Sequence, residues 1–286
     1  MARIQFILKA RESPFIGETA PKDENKFLSS GLLNSATFVK NMLTELGHIT
    51  ELSHAIDNNC IDRLVTKFKP DIVIIEAFWV VPEKFDILTK LHPKIEWIVR
   101  NHSAIPFLAN EGIGIDWTLR YIDYPNVALS SNDARTNKEI QSLISIYKPV
   151  WSSEQIERKA PLLSNYYPVN FKSKNNSPKD DIIDIACFGA IRPLKNHLMQ
   201  AIAAIQFAKK HKKHLNFHIN GTRIEMKGDP ILQNLRKMFK LLPYDLIEHD
   251  WMPHDDFCSL LRQMDVSMQV SYTETFNIVT ADAVMN

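Results

Sequence analysis

Apolar positions fall into two alternating patterns along this chain: short runs rich in Val and Ile, and longer stretches with an apolar residue every three or four positions. In the first half the short runs are Ile4–Leu8, Ile49–Leu52, Ile72–Ile75, Ile95–Val99 and Val127–Ser130. The near-continuous β-branched run after Asp71 is typical of a parallel strand covered on both faces. Between these runs the spacing predicts helices. One spans Gly31–Leu46, with Leu32, Ala36, Val39 and Leu43 on one face and Gly47 beyond its end. Others cover Cys60–Phe68, closed by Pro70, and Glu83–Leu91, and a further helix starts at Asp133 with Ile140, Leu143 and Ile144 in phase. Lys9–Ser30 is polar, rich in turn formers and long for a loop, which points to function or mobility.

Between Val169 and Asp181 the chain turns to N-F-K-S-K-N-N-S-P-K-D, poor in apolar residues. Alternation then resumes, with strands predicted at Ile182–Phe188, Leu215–Ile219, Leu246–His249 and Val266–Val270. Helices are predicted over Asn196–Lys213, Ile231–Leu241 and Asp255–Met264, and from Ile278 onward. In the Asn196 helix the spacing assigns Leu198, Ala201, Ile202 and Ile205 to the core face. Strand–helix alternation of this kind implies an α/β fold with two Rossmann-like domains built on parallel sheets. The expected boundaries are residues 1–169 and 181–286, joined by a linker over 170–180.

Composition narrows the partners more than the fold. At 286 residues, 45% hydrophobic and 23% charged, the chain has the make-up of a soluble globular protein of two ordinary domains. A formal net charge of +1 gives no electrostatic reason to expect nucleic acid as the main partner. Lys209, Lys210, Lys212 and Lys213 crowd one helix end without interleaved aromatics, and read as a solvated terminus complementing the helix dipole. Cys60, Cys187 and Cys258 are too scattered for a disulfide framework or a metal knuckle, and a reducing cytoplasm is the plain expectation. The apolar run at Met1–Leu8 is short for a signal peptide, and no stretch approaches the roughly 18 apolar residues of a spanning helix. Peripheral membrane contact stays open.

Candidate chemistry gathers in the second half. After the strand ending near Phe188 comes Gly189-A-I-R-P-L-K, in which Gly189 allows a tight turn and Arg192 and Lys195 supply two cations just beyond it. Phe217-H-I-N-G-T-R puts Asn220 and Gly221 at another strand end. Asp250-W-M-P-H-D-D precedes an amphipathic helix, a strand, and Ser271-Y-T-E-T-F-N, in which Glu274 lies eight residues before Asp282. A polar turn opening a helix offers backbone N–H groups to an anion.

These motifs, in this order, resemble the retaining GT-B glycosyltransferases of glycosyltransferase family 4, whose E-x7-E signature stands here as E-x7-D. The resemblance covers about Ile182–Asn286; the first half is compatible in architecture only. It implies transfer of a sugar from a nucleotide-sugar such as a UDP- or GDP-sugar, with retention and without a metal or other cofactor, to a glycan, lipid or small-molecule acceptor. The donor would lie in a cleft between the domains. Arg192 and Lys195 would meet its phosphates, Glu274 the sugar hydroxyls and Asp282 the ribose. Gly189, Asn220 and Gly221 would shape the pocket, and the backbone of Thr275, Phe276 and Asn277 would approach the donor. His102, after the strand ending at Val99, would face the sugar from the first domain. Glu76 is a second candidate there, for the acceptor. Phe78, Trp79 and Trp117 are core or acceptor-pocket aromatics, and His218 a structural strand histidine.

The chain departs from the family in four respects. Thr275 and Asn277 stand where glycines are usual, Asp282 is one methylene short, and the glycine-rich loop after the first strand is missing. Ending at Asn286, the chain also looks truncated, with a second domain short of its last strands and an apolar edge that a second copy would pair. The alternatives are a nucleotide-sugar epimerase on the same fold and a non-catalytic nucleotide-sugar-binding or scaffold protein. No H-E-x-x-H, D-x-D or Cys/His cluster with metal spacing stands out, and no G-x-G-x-x-G follows a strand.

Overall fold

The computed structural model describes residues 1–10, 31–169, 171–172 and 181–286. The long polar stretch expected over Lys9–Ser30 and most of the 170–180 linker lie outside the described residues. What is described forms two compact units that divide at Pro168 and Val169.

In the first unit, strands β1 (Arg3–Lys9), β2 (Ile49–Ala55), β3 (Ile72–Glu76), β4 (Glu96–Asn101) and β5 (Val127–Ser131) form one sheet in the order β2-β1-β3-β4-β5. Every pairing is parallel. The helices are α1 (Gly31–Glu45), α2 (Cys60–Phe68), α3 (Phe85–Leu91), α4 (Ile105–Leu108), α5 (Gly114–Tyr121), α6 (Ala134–Tyr147) and α7 (Ser153–Lys159).

Strand alternation sorts the core into two layers. Ile4, Phe6, Leu8 and Ile74 face α1, where Ala36 is buried and Leu32, Val39 and Leu43 pack against them. Ile7, Val73, Ile75, Trp97 and Val99 point the other way, into a larger cluster with Val65 of α2, Phe85 of α3, Tyr121 of α5 and Ile140 of α6. Both faces are thus covered, as the β-branched run of β3 requires. Phe78, Trp79 and Trp117 pack against the larger cluster.

In the second unit, β6 (Ile182–Ala186), β7 (His214–Asn220), β8 (Asp245–His249) and β9 (Val266–Ser267) form a parallel sheet in the order β8-β7-β6-β9. Its helices are α8 (His197–Lys210), α9 (Asp229–Lys240), α10 (His254–Leu261) and α11 (Ile278–Met285). Ile183, Ile185, Phe217 and Ile219 meet α8 and α9 on one face. Ala186 and Phe188 meet α10 and α11 on the other.

Two expectations need correction here. On α8, Leu198, Ala201 and Ile205 pack in the core as expected, joined by Ala204 and Ala208, while Ile202 is exposed. The face is built of buried alanines flanked by the partly buried Leu198 and Ile205. Strand β9 is two residues long rather than five. Met268 N–H still donates to Ala186 O at 2.7 Å, but Val270 N–H turns to the Gln200 side chain at 2.8 Å. Side-chain partners thus replace the ladder, and the strand stops. Among the described residues no helix is long and apolar enough to cross a membrane.

Candidate functional site

Strand order reverses between β6 and β9, neighbours in the second sheet. In open parallel sheets the connections leaving two such strands part to opposite faces, and a crevice opens at their carboxyl ends. Gly189, Arg192, Lys195 and Glu274 lie on these two connections, and Asn220 ends the neighbouring β7.

Gly189 leaves β6 with φ +113°, a backbone conformation that L side chains rarely adopt. Its N–H donates to Oδ1 of the buried Asn220 at 2.8 Å, so Asn220 fixes this turn from the end of β7. A short 3-10 turn over Pro193–Lys195 follows, and Asn196, at φ 58°, redirects the chain into α8. Lys195 then forms an ion pair through Nζ with Oε1 of Glu274, in the connection after β9. The Lys195 side chain is 11% exposed and that of Glu274 24%.

Hydrogen bonds weld the two connections into one block. Gln269 Nε2 donates to Phe188 O at 2.9 Å, Asn196 Nδ2 to Val270 O at 3.1 Å, and Tyr272 N–H to Leu194 O at 2.9 Å. Gln200 reaches both sides, donating to Lys195 O and accepting from Val270 N–H, each at 2.8 Å. The Lys195–Glu274 pair is therefore held in place from several directions, which is what a binding group needs if it is not to spend affinity on ordering.

Arg192, the other expected cation, lies 3.6 Å from Glu225, which also binds Arg223 at 2.8 Å. His197 opens α8 with its ring buried, and neither ring nitrogen has a hydrogen-bond partner among the described residues. Burial, reinforced by the positive charges of Lys195 and Arg192, pushes its pKa down to about 4. Gly221 has a packing reason: a Cβ there would come within 2.2 Å of the Glu248 carboxylate. That carboxylate takes two 2.7 Å hydrogen bonds from Arg236.

Thr275, Phe276 and Asn277 lead into α11. Asn277 caps this helix, its Oδ1 accepting from Thr280 N–H at 3.2 Å while its Nδ2 donates to Gln269 at 2.9 Å. An asparagine where glycine was expected thus has a local task. Asp282 is buried on α11 and receives His254 Nε2 at 2.7 Å. Cys258 Sγ stands 3.6 Å from the same nitrogen. The Asp282 hydrogen bond, then that of Cys258, pushes the His254 pKa up to about 10. His254, Cys258 and Asp282 make a group of potential metal donors that the sequence spacing did not reveal.

In the first unit, Arg100 and Asn101 end β4 and His102 follows. Arg100 and Glu76 are both buried and pair at 3.1 Å, and the guanidinium also donates to the carbonyls of Leu163 and Ser164. His102 Nε2 binds the other oxygen of Glu76, and its Nδ1 lies 3.4 Å from Asn132 Nδ2. That arrangement suits a ring protonated on Nε2. Burial alone would raise the Glu76 pKa; His102 and Arg100 overcome it and hold the carboxyl below its ordinary value. Glu76, an acceptor candidate by sequence, is thus an internal counter-ion that orients His102. His218, expected to be structural, bridges Asp184 at 3.1 Å and His249 at 2.8 Å.

No protein-family model matches the chain, and no curated protein matches it in sequence. Solved structures do match its fold. The catalytic domain of starch synthase IV from Arabidopsis thaliana, bound to ADP and acarbose, aligns with 99% of this chain and 80% of its own at TM-score 0.62 and 9% identity. Sucrose-phosphate synthase from Thermosynechococcus elongatus aligns with 99% of this chain and 79% of its own at TM-score 0.62 and 11% identity. UDP-GlcNAc 2-epimerase from Methanocaldococcus jannaschii gives TM-score 0.51 and 11% identity over 93% of this chain and 77% of its own. The fold is GT-B, with Rossmann-like parallel α/β units. At these identities the likeness is one of fold.

Proposed function

We propose that this protein is a nucleotide-sugar-dependent glycosyltransferase. The observation that carries the reading is the pair of buried Lys195 and half-buried Glu274, set where the strand order of the second sheet reverses, beside the positive-φ turn at Gly189. A fixed cation at a strand-end crevice suits a diphosphate, and a carboxylate beside it suits sugar hydroxyls. The solved starch synthase domain, of the same fold, is bound to ADP, a nucleoside diphosphate.

In this reading the bond between the sugar's anomeric carbon and the β-phosphate oxygen breaks. The acceptor hydroxyl supplies the new oxygen, and its proton leaves toward the departing diphosphate. Lys195 and Arg192 meet the charge that develops there, and a pre-positioned donor of this kind is worth about 10²–10³ in turnover. Glu274 holds the sugar, and the backbone from Thr275 to Asn277 lines the donor. In the first unit, Glu76 orients His102 at the end of β4. Asp282, buried against His254, we assign to holding α11 rather than to the ribose. The transfer is retaining, the donor a UDP- or GDP-sugar, and the acceptor a glycan, lipid or small molecule.

The test is incubation with UDP-, GDP- and ADP-sugars, with and without acceptors of these three classes. Acceptor-dependent release of nucleoside diphosphate is expected, with the anomeric configuration retained by NMR. The similarity to UDP-GlcNAc 2-epimerase supports a second reading. A sugar epimer formed without acceptor would establish that reading instead, and binding without turnover would leave a nucleotide-sugar-binding protein.

A further inference from the structure

We propose that His254, Cys258 and Asp282 bind a divalent transition-metal ion, of which Zn²⁺ fits the donors best. His254 and Cys258 stand one turn apart on α10, on the same helix face. Asp282 faces them from α11. The imidazole nitrogen, the sulfur and a carboxylate oxygen all lie within 4.8 Å of one another.

The bonding pattern points to a cation. One ring nitrogen, His254 Nε2, faces the Asp282 carboxylate at 2.7 Å and the Cys258 sulfur at 3.6 Å. A single N–H at that nitrogen has one direction to point in, whereas an ion at the centre satisfies all three groups. A hydrolytic Cys–His–Asp relay is not built here, because that relay needs thiol and carboxylate on opposite ring nitrogens. The dimensions also agree. Tetrahedral zinc, with Zn–S of about 2.3 Å and Zn–N of about 2.0 Å, sets sulfur and nitrogen roughly 3.5 Å apart. The nitrogen–oxygen pair needs to open by about half an ångström as the ion replaces the shared proton.

Donor chemistry selects the class of ion. A thiolate, an imidazole and one carboxylate favour zinc over magnesium or manganese, which prefer oxygen ligands. Binding would release the Cys258 proton and the one held between His254 and Asp282. Three protein ligands leave a fourth position for water. Cys258 and Asp282 are buried, and the half-buried His254 edge gives the ion its way in. The ion would clip α11 to α10 beside the apolar contact of Phe257, Leu261 and Val279. None of Arg192, Lys195 or Glu274 is among its ligands, so the inference stands apart from the glycosyltransferase reading.

Cobalt titration of the chelator-treated chain tests it. One Co²⁺ per chain is expected, with a thiolate-to-cobalt charge-transfer band and the strong visible absorption of a four-coordinate site. One equivalent of Zn²⁺ should displace it and excess Mg²⁺ should not. Cys258→Ser should abolish the charge-transfer band, and Cys60→Ser should leave it. Asp282→Asn, which keeps the thiol, should weaken Zn²⁺ binding by about 100-fold or more, beyond the 10–100-fold typical of outer-shell partners. A cobalt spectrum like that of the free aquo ion, a band that survives Cys258→Ser, or an unchanged zinc affinity in Asp282→Asn would overturn the proposal.

Discussion

Lys195 and Glu274 are seventy-nine residues apart in sequence and form an ion pair at the carboxyl ends of adjacent strands β6 and β9. Each is the other's counter-ion until a diphosphate arrives. Glu274→Gln removes the negative charge from beside Lys195 and leaves the cation free for phosphate. Nucleoside diphosphate affinity should therefore hold or rise in this variant, while turnover falls because the sugar loses a charged partner. Calorimetry beside a steady-state assay reads both quantities. A parallel loss of affinity and turnover would contradict the separation of roles.

Glu76 and Arg100 test the interior of the first unit. Glu76→Ala leaves a buried guanidinium without its carboxylate and His102 without its anchor. Breaking a buried pair from one side costs about 3–5 kcal/mol. A large fall in the first unit's denaturant midpoint is expected, read from the Trp97 environment by fluorescence. A shift under about 1 kcal/mol would mean that the pair is solvated.

His197 makes stability depend on acid. Its folded pKa is about 4, below the ordinary value of 6.5. The unfolded chain therefore takes up a proton as pH falls below 6.5, and the folded one does so only near 4. Stability is fully present above about pH 6.5 and declines by up to about 3 kcal/mol as pH falls to 4. His197→Leu cannot titrate, so its melting temperature should fall less than the parent's between pH 7 and 4.5. Equal losses in both proteins would contradict the assignment.

Gly189→Ala isolates the turn after β6. A methyl group there meets nothing closer than 4.0 Å, so the cost comes from φ +113° alone. Strain of about 1–3 kcal/mol is expected in the second unit, with weaker nucleotide binding as the turn relaxes and Lys195 shifts. A variant as stable as the parent would show that the turn has another low-energy form.

The alternation of the two units was legible because both hydrophobic periods are strong. Ile72–Ile75 and Cys60–Phe68 coincide with elements of the fold. Helix α7 was missed because it buries no residue and so has no apolar stripe. Its signal lay in the capping box of Ser152 and Gln155. Helix α4 is too short for a period to build up, and α5 turns Gly114 and Thr118 inward beside Tyr121, which blurs its apolar stripe. In α8 the hydrophobic scale favoured Ile202 over Ala204 and Ala208, although the alanines are the buried residues.

In the candidate site, Gly189, Lys195 and Glu274 were readable from motif order, and the fold brings them together. The metal-donor group was not. Its third member comes from a different helix, and His254 and Cys258 alone match no familiar ligand spacing. The pairing of Glu76 with His102 was hidden for the same reason, since it crosses from one strand end to the next.

Calorimetric titration of the parent chain and Lys195→Ala with UDP, GDP and ADP tests the central assignment most directly. At least one of these nucleotides should bind the parent, and the variant should bind it about 10- to 100-fold more weakly, as expected for the loss of one charge-assisted contact of about 1.5–3 kcal/mol. Failure of all three to bind the parent, or equal affinity in the variant, would contradict the placement of a diphosphate at Lys195.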